Sequence, residues 1–233
     1  MTLPSIILIH GAWLGGWCWR PLQAELMRFG FEPHAPTLTA LAERRHLGTA
    51  NIGLAEHVAD ILETLPFLDN ENIALIGHSY GAVVAAEVAA ARPDLVSHLV
   101  VLDGFMLQRG QSLFGKHREL RDVFGSLITG EAPEYIQPPD STFLGLPETA
   151  DTRKIVERLR PMPLKGFADI AQYDAPVHCG RDYVRFTEFP FFETTAAEAA
   201  AEGWRVSEIE AGHMAITTHA EAVAARLNEI LTR

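Results

Sequence analysis

The chain has 233 residues, 48% of them hydrophobic and 21% charged, with a formal net charge of -11. That length accommodates one sizeable α/β domain with a buried core, and the composition argues against disorder. The acidic balance repels phosphate backbones and anionic lipid, which argues against nucleic acid or a membrane surface as a partner.

"MTLPSIILI" (1–9) lacks a charged leader region, and its apolar run is too short for a signal peptide or a membrane span. Cys18 and Cys179 each sit in an apolar setting and read as free thiols, so the expected compartment is the reducing cytoplasm. "SIILIH" (5–10) reads as a strand buried on both faces. "RPLQAELMRFG" (20–30) has helical spacing and stops at Gly30, a residue suited to closing a helix. "FEPHAP" (31–36) predicts a short strand and "LAEHVADILETL" (54–65) an amphipathic helix. "NIALIG" (72–77) is a second buried strand, "AVVAAEVAAA" (82–91) an apolar helix closed by Pro93, and "VSHLVVLDG" (96–104) a third strand.

This β-α-β-α rhythm pauses between about 105 and 172. The segment holds a helix expected at 111–128, the Pro-rich "EAPEYIQPPD" (131–140) and another helix near 149–160, with no buried strand. The rhythm resumes with a strand at "APVHCGR" (175–181), a helix around 189–202, the strand "WRVSEIEA" (204–211) and the helix "AEAVAARLNEIL" (220–231). The expected fold is therefore α/β, with a mostly parallel central sheet and helices on both faces. Residues 1–104 and 173–233 form its core, and 105–172 form a small lid inserted over the C-terminal edge of the strands.

Gly77-His78-Ser79-Tyr80-Gly81 fits the G-x-S-x-G pattern and falls where a strand passes into a helix. That context makes Ser79 a candidate nucleophile on a sharp elbow, with the plain alternative a glycine-punctuated turn. A serine hydroxyl needs a base. His213 in "EAGHMA" (210–215) follows the last strand and would emerge at the same sheet edge. The acid that orients the imidazole is expected at Asp182, after the strand assigned to 175–181, with Asp103 after "HLVVL" as its rival. Two backbone N–H groups should hold the developing oxyanion. Tyr80 follows the nucleophile, and Ala12 lies in the glycine-rich loop "HGAWLGGWCW" (10–19).

With these residues in place, the chain resembles the small α/β-hydrolases that include plant methyl-ester esterases, hydroxynitrile lyases and bacterial carboxylesterases of the pyrethroid-hydrolase type. The resemblance runs nearly end to end, through "HGAWLGGWCW", "PTLTALAERRHL" (36–47), "GHSYGAVV", "LVVLDGFMLQRGQSL" (99–113), "CGRD" and "GHMA". The lyases of this group carry Thr where Gly11 stands and Lys where Met214 stands. A lyase needs a cation beside departing cyanide, so Gly11 and Met214 favour ester hydrolysis. The resemblance implies a serine carboxylesterase that takes a small, largely apolar ester and forms an acyl-enzyme, and it makes a homodimer possible. A same-fold lyase, amidase or lactonase, or a binding protein without turnover, are the alternatives.

Gly11, Trp13, Phe105, Met106 and Met214 adjoin the catalytic loops and are the expected pocket wall. Phe114, Phe124, Tyr135, Phe143 and Phe167 of the lid are further candidates. Trp17 and Trp19 read as packing, and Arg44 and Arg45 as a solvated loop pair. Neither an H-E-x-x-H motif nor paired cysteines occur, so no metal or other cofactor is expected.

Overall fold

Uninterrupted aliphatic runs form the centre of the sheet, because a strand covered on both faces has no side for water. The computed structural model describes residues 3–49, 51–68, 72–130, 134–146, 148–174 and 176–233. In chain order come β1 (Ser5–Ile9), α1 (Arg20–Arg28), β2 (Pro33–His34), α2 (Leu54–Leu62), β3 (Ile73–His78), α3 (Gly81–Ala91) and β4 (Val96–Leu102). An insertion follows, made of α4 (Leu113–Lys116), α5 (Arg118–Phe124), β5 (Ile128–Thr129), β6 (Tyr135–Ile136), α6 (Ala150–Val156), β7 (Met162–Pro163) and α7 (Lys165–Ala168). The chain closes with β8 (Gly180–Phe186), α8 (Glu193–Ala201), β9 (Arg205–Ile209), α9 (Ala215–Thr218) and α10 (Ala220–Leu231).

The principal sheet has six strands in the order β2-β1-β3-β4-β8-β9, and every neighbouring pair is parallel. Every residue of β1 and β3 is buried. Helix α3 is buried along most of its length, which its Ala and Val content permits. The helices flank the sheet, α1 packing on α10 and α2 on α3. From β1 the chain moves outward to β2 and then reverses to β3. Such a reversal opens a crevice at the C-terminal ends of the two strands that flank it, where α/β sheets bind ligands. Here those ends carry the Gly11 loop and Ser79.

Three expectations need correction. The penultimate strand begins at Gly180 rather than at 175, and residue 175 itself lies outside the described residues. The apolar pair Pro176-Val177 suggests a strand, yet Val177 is 79% exposed, and the core is filled instead by Tyr183, Val184 and Phe186. The helix expected at 111–128 breaks at His117, whose φ of -112° and ψ of 74° are not helical. The insertion also holds a three-stranded antiparallel sheet, β5-β6-β7, where no buried strand was expected. Two-residue strands are too short to leave a period in the sequence. Of the Pro-rich stretch, residues 131–133 lie outside the described residues.

Candidate active site

Between His78 at the end of β3 and Gly81 at the start of α3 only Ser79 and Tyr80 intervene. Ser79 has a φ of 55°, in the left-handed region that non-glycine residues seldom occupy. So tight a reversal leaves no room for side chains where the backbone crosses itself. A Cβ on Gly77 would lie 2.5 Å from Ala82 Cα, and one on Gly81 2.6 Å from the His10 carbonyl oxygen. The motif's glycines are therefore steric requirements of the elbow.

His213 lies beyond β9, with Nδ1 2.7 Å from Asp103 Oδ2. Asp103 directly follows β4, and its other oxygen accepts the Phe186 N–H at 3.1 Å. The Asp103 amide itself donates to the Val184 carbonyl at 2.8 Å, which fixes the residue from both ends. The imidazole is enclosed by rings. Phe189 stacks on it at 4.6 Å, Phe192 at 5.4 Å, and the His78 ring centre lies 4.5 Å away. His78 Nε2 also donates to the His213 carbonyl at 2.9 Å. Burial disfavours charge on both members of the pair, so it lowers the His213 imidazole and raises the Asp103 carboxyl. The Phe186 N–H and Arg185 pull the carboxyl back toward its ionised form.

Asp182, expected beside His213, is elsewhere. Its carboxylate is held by Arg205, at 2.5 Å from Nη2 and 3.0 Å from Nε, and by Arg233 at 3.3 Å. The register explains the displacement. Asp182 pairs with Val100, three residues short of Asp103, so it lies about 10 Å back along the strand direction. Because β8 starts later than the sequence suggests, Asp182 belongs to its first turn of pleat, far from its C-terminal edge. Asp103 and His213 are the residues brought together.

Ala12 lines a cavity together with Ser79 and His213, and Tyr80 directly follows Ser79 in the chain. Among the described residues, neither N–H donates a hydrogen bond to another group of the protein. Ala12, Trp13, Ser79, Phe105 and His213 line this one cavity. Leu120, Phe124, Phe143, Leu144 and Phe167 of the insertion also line it, as do Phe189, Phe191 and Phe192. Gly11 lies against Ser79 rather than in the wall, since a Cβ there would be 2.9 Å from Ser79 Cβ. Met214 is fully buried and Met106 borders a separate surface groove, so neither lines the cavity. Phe114 packs behind Phe167 at 5.5 Å, and Tyr135 is also absent from the wall. Arg44, expected in solvent, pairs with Asp60 at 3.1 Å.

Sequence reasoning missed Phe189, Phe191 and Phe192. Their signal was present in "EFPFFE" (188–193), an aromatic cluster just beyond a strand end. Among the described residues no group of three or more His, Cys, Asp or Glu is gathered to hold a metal ion, and no helix is long and apolar enough to cross a membrane. Cys18 and Cys179 are free thiols.

Comparison with known proteins places this geometry in context. Carbendazim hydrolyzing esterase of Nocardioides sp. is 37% identical over 111 residues, 48% of this chain and 46% of that protein. Pyrethroid hydrolase of Sphingobium wenxiniae is 30% identical over 193 residues, 66% of this chain and 68% of that one. The chain spans less than half the length of the carbendazim esterase and of the Arabidopsis thaliana methylesterases that it matches. The fold superposes on the H243A variant of tomato methylketone synthase I, complexed with beta-ketoheptanoate, with a TM-score of 0.83. The two share 20% identity, and the alignment covers 100% of this chain and 99% of that one. The family model described as the alpha/beta hydrolase family matches residues 6–226, nearly the whole chain, and the chain belongs to that family.

Proposed function

We propose that the protein is a serine esterase in which Ser79, His213 and Asp103 act as a triad. The observation that carries this reading is the 2.7 Å contact of His213 Nδ1 with Asp103, in a cavity that Ser79 and His213 both line. A carboxylate on Nδ1 keeps the proton there and leaves Nε2 as the base. His213 takes the Ser79 proton, and Ser79 attacks the ester carbonyl. The Ala12 and Tyr80 amides stabilise the oxyanion, and the alcohol leaves with the proton from His213. Water then enters, is deprotonated by His213 and releases the acid from Ser79.

The wall of the cavity selects the substrate. Among the described residues, those lining the cavity are aliphatic or aromatic apart from Ser79 and His213, with no Lys or Arg. A charged acid would be desolvated there without a partner, whereas a neutral apolar or aryl ester matches the wall. The missing cation also disfavours cyanohydrin cleavage, which needs a partner for departing cyanide. The names of the relatives, an esterase, a pyrethroid hydrolase and several methylesterases, support the same chemistry.

The test is a panel of p-nitrophenyl esters of increasing chain length, methyl esters of aromatic acids, and mandelonitrile. Ester turnover that vanishes in Ser79→Ala is the expected result. Absence of ester turnover, or turnover indifferent to that substitution, would overturn the proposal.

A further inference from the structure

Two buried histidines outside the triad converge on one loop. His57 lies on α2 and is fully buried, with Nε2 3.0 Å from the Thr39 carbonyl and Nδ1 2.8 Å from the Tyr80 hydroxyl. A carbonyl only accepts, so Nε2 carries the hydrogen, and a neutral ring then presents a lone pair at Nδ1. The Tyr80 hydroxyl is therefore the donor. Burial keeps the His57 ring neutral and the phenol protonated, as this arrangement requires.

His10 lies at the end of β1 and makes the matching connection. Its Nε2 accepts the Leu38 N–H at 3.1 Å, which leaves the hydrogen on Nδ1, and Nδ1 donates to the Gly11 carbonyl at 2.8 Å. That carbonyl shares a peptide plane with the Ala12 N–H, and in a trans peptide the two point in opposite directions. Holding the oxygen aims the N–H.

Residues 38 and 39 thus meet both rings, and they are themselves clamped. Asp60 accepts from the Thr39 amide at 2.6 Å and from its hydroxyl at 2.8 Å, while Arg44 donates to that hydroxyl at 2.8 Å and to the Thr37 carbonyl at 2.7 Å. Arg44 and Asp60 also pair with each other. The segment "PTLTALAERRHL" (36–47) supplies Thr37, Leu38, Thr39 and Arg44, and contributes nothing to the cavity wall.

We infer that the 37–39 segment, locked by Asp60 and Arg44, braces both oxyanion donors through two positioning residues, aiming the Ala12 amide through His10 and the Tyr80 amide through His57. The inference rests on the esterase reading, because it concerns the groups that hold the oxyanion in that mechanism. Neither ring lines the cavity, so neither touches the substrate. Their effect falls on the transition state and spares ground-state binding.

The experiment compares wild type with His57→Phe and Tyr80→Phe, which remove opposite ends of one hydrogen bond. A fluorophosphonate titrates competent sites, so each kcat refers to active enzyme alone. Removing an oxyanion donor outright costs about 10²–10³ in kcat, and a misaimed donor should cost at least roughly tenfold. The expected result is that fall in kcat per titrated site with KM nearly unchanged. A trifluoromethyl ketone, whose hemiketal oxygen occupies the oxyanion position, should weaken in parallel. The double variant should be no worse than the poorer single one. Wild-type kcat per site and undiminished ketone affinity in both variants would overturn the brace, whatever happens to their stability. Should His57→Phe fail to fold, Tyr80→Phe, which loses a single hydroxyl, decides alone. A wild-type protein that neither turns over esters nor reacts with the fluorophosphonate would refute the esterase reading itself, a result separate from failure of the brace.

Discussion

Two buried carboxylates meet opposite company: Asp182 lies within β8, and Asp103 directly follows the neighbouring strand β4. Asp182, near the beginning of β8, is answered by two guanidinium groups, both attached to half-exposed side chains. Asp103, at the C-terminal edge, meets an imidazole and one amide N–H deep in the protein. The first arrangement neutralises charge and ties the C-terminal Arg233 to the sheet. The second leaves a charge that burial opposes, which suits a group whose task is to stabilise an imidazolium that forms only during turnover. Equal burial therefore does not mean equal role, because the partner decides.

Activity separates the two ends most sharply. Ser79→Ala should lower kcat on p-nitrophenyl esters by a factor on the order of 10⁵–10⁶, as removal of a triad nucleophile does. Asp103→Asn should cost on the order of 10⁴ in kcat, because an amide no longer holds the imidazole in the required tautomer. Asp182→Asn should leave kcat within about threefold. Steady-state kinetics on all three checks the contrast, and a large loss for Asp182→Asn alone would reverse the assignment of the two carboxylates.

Acid should expose the same edge by another route. His10, His57 and His78 are fully buried, and burial lowers each imidazole from its ordinary 6.5, His10 down to about 4. Below pH 6.5 the unfolded chain takes up protons that the native rings refuse, so their stability contribution is complete above 6.5 and is lost as pH falls below it, for His10 down to about 4. Each ring should cost up to about 1.4 kcal/mol per pH unit in that window. The pair of His213 and Asp103 adds little, because its imidazole and carboxyl are shifted in opposite directions. Urea midpoints measured from pH 7.5 to 4.5 should drop steeply below 6.5, and a flat profile would contradict the neutral state of these rings.

The smaller effects belong to the structural carboxylate and to the insertion. Asp182→Asn should lower stability by about 2 kcal/mol through its charged hydrogen bonds, seen as a lower urea midpoint with activity retained. Trp13→Phe should cost about 1 kcal/mol, since the indole N–H donates to the Ile136 carbonyl at 3.0 Å and joins the loop after β1 to the insertion. The same measurement resolves it.

Local chemistry was legible wherever one element carried the whole signal. The elbow could be read because Gly77, Ser79 and Gly81 occupy alternate positions where a strand passes into a helix. Helix α10 falls on residues 220–231 as its periodicity predicts. Trp13 and Phe105 were recognisable as wall residues because each adjoins a catalytic loop. Met214 shows the limit of that reasoning, since it adjoins His213 in sequence yet turns into the core.

What the sequence by itself determined is the α/β rhythm, the tight turn at Ser79 and the histidine after the last strand, all consequences of short-range pattern and steric need. Only the tertiary structure decided which carboxylate reaches His213, because a shift of β8 along its neighbour moves Asp182 by several residues without altering its hydrophobic pattern. Tertiary structure also assembled the cavity and the brace of His10 and His57, whose partners come from separate stretches of chain. Register and long-range packing select those contacts, and neither leaves a local trace.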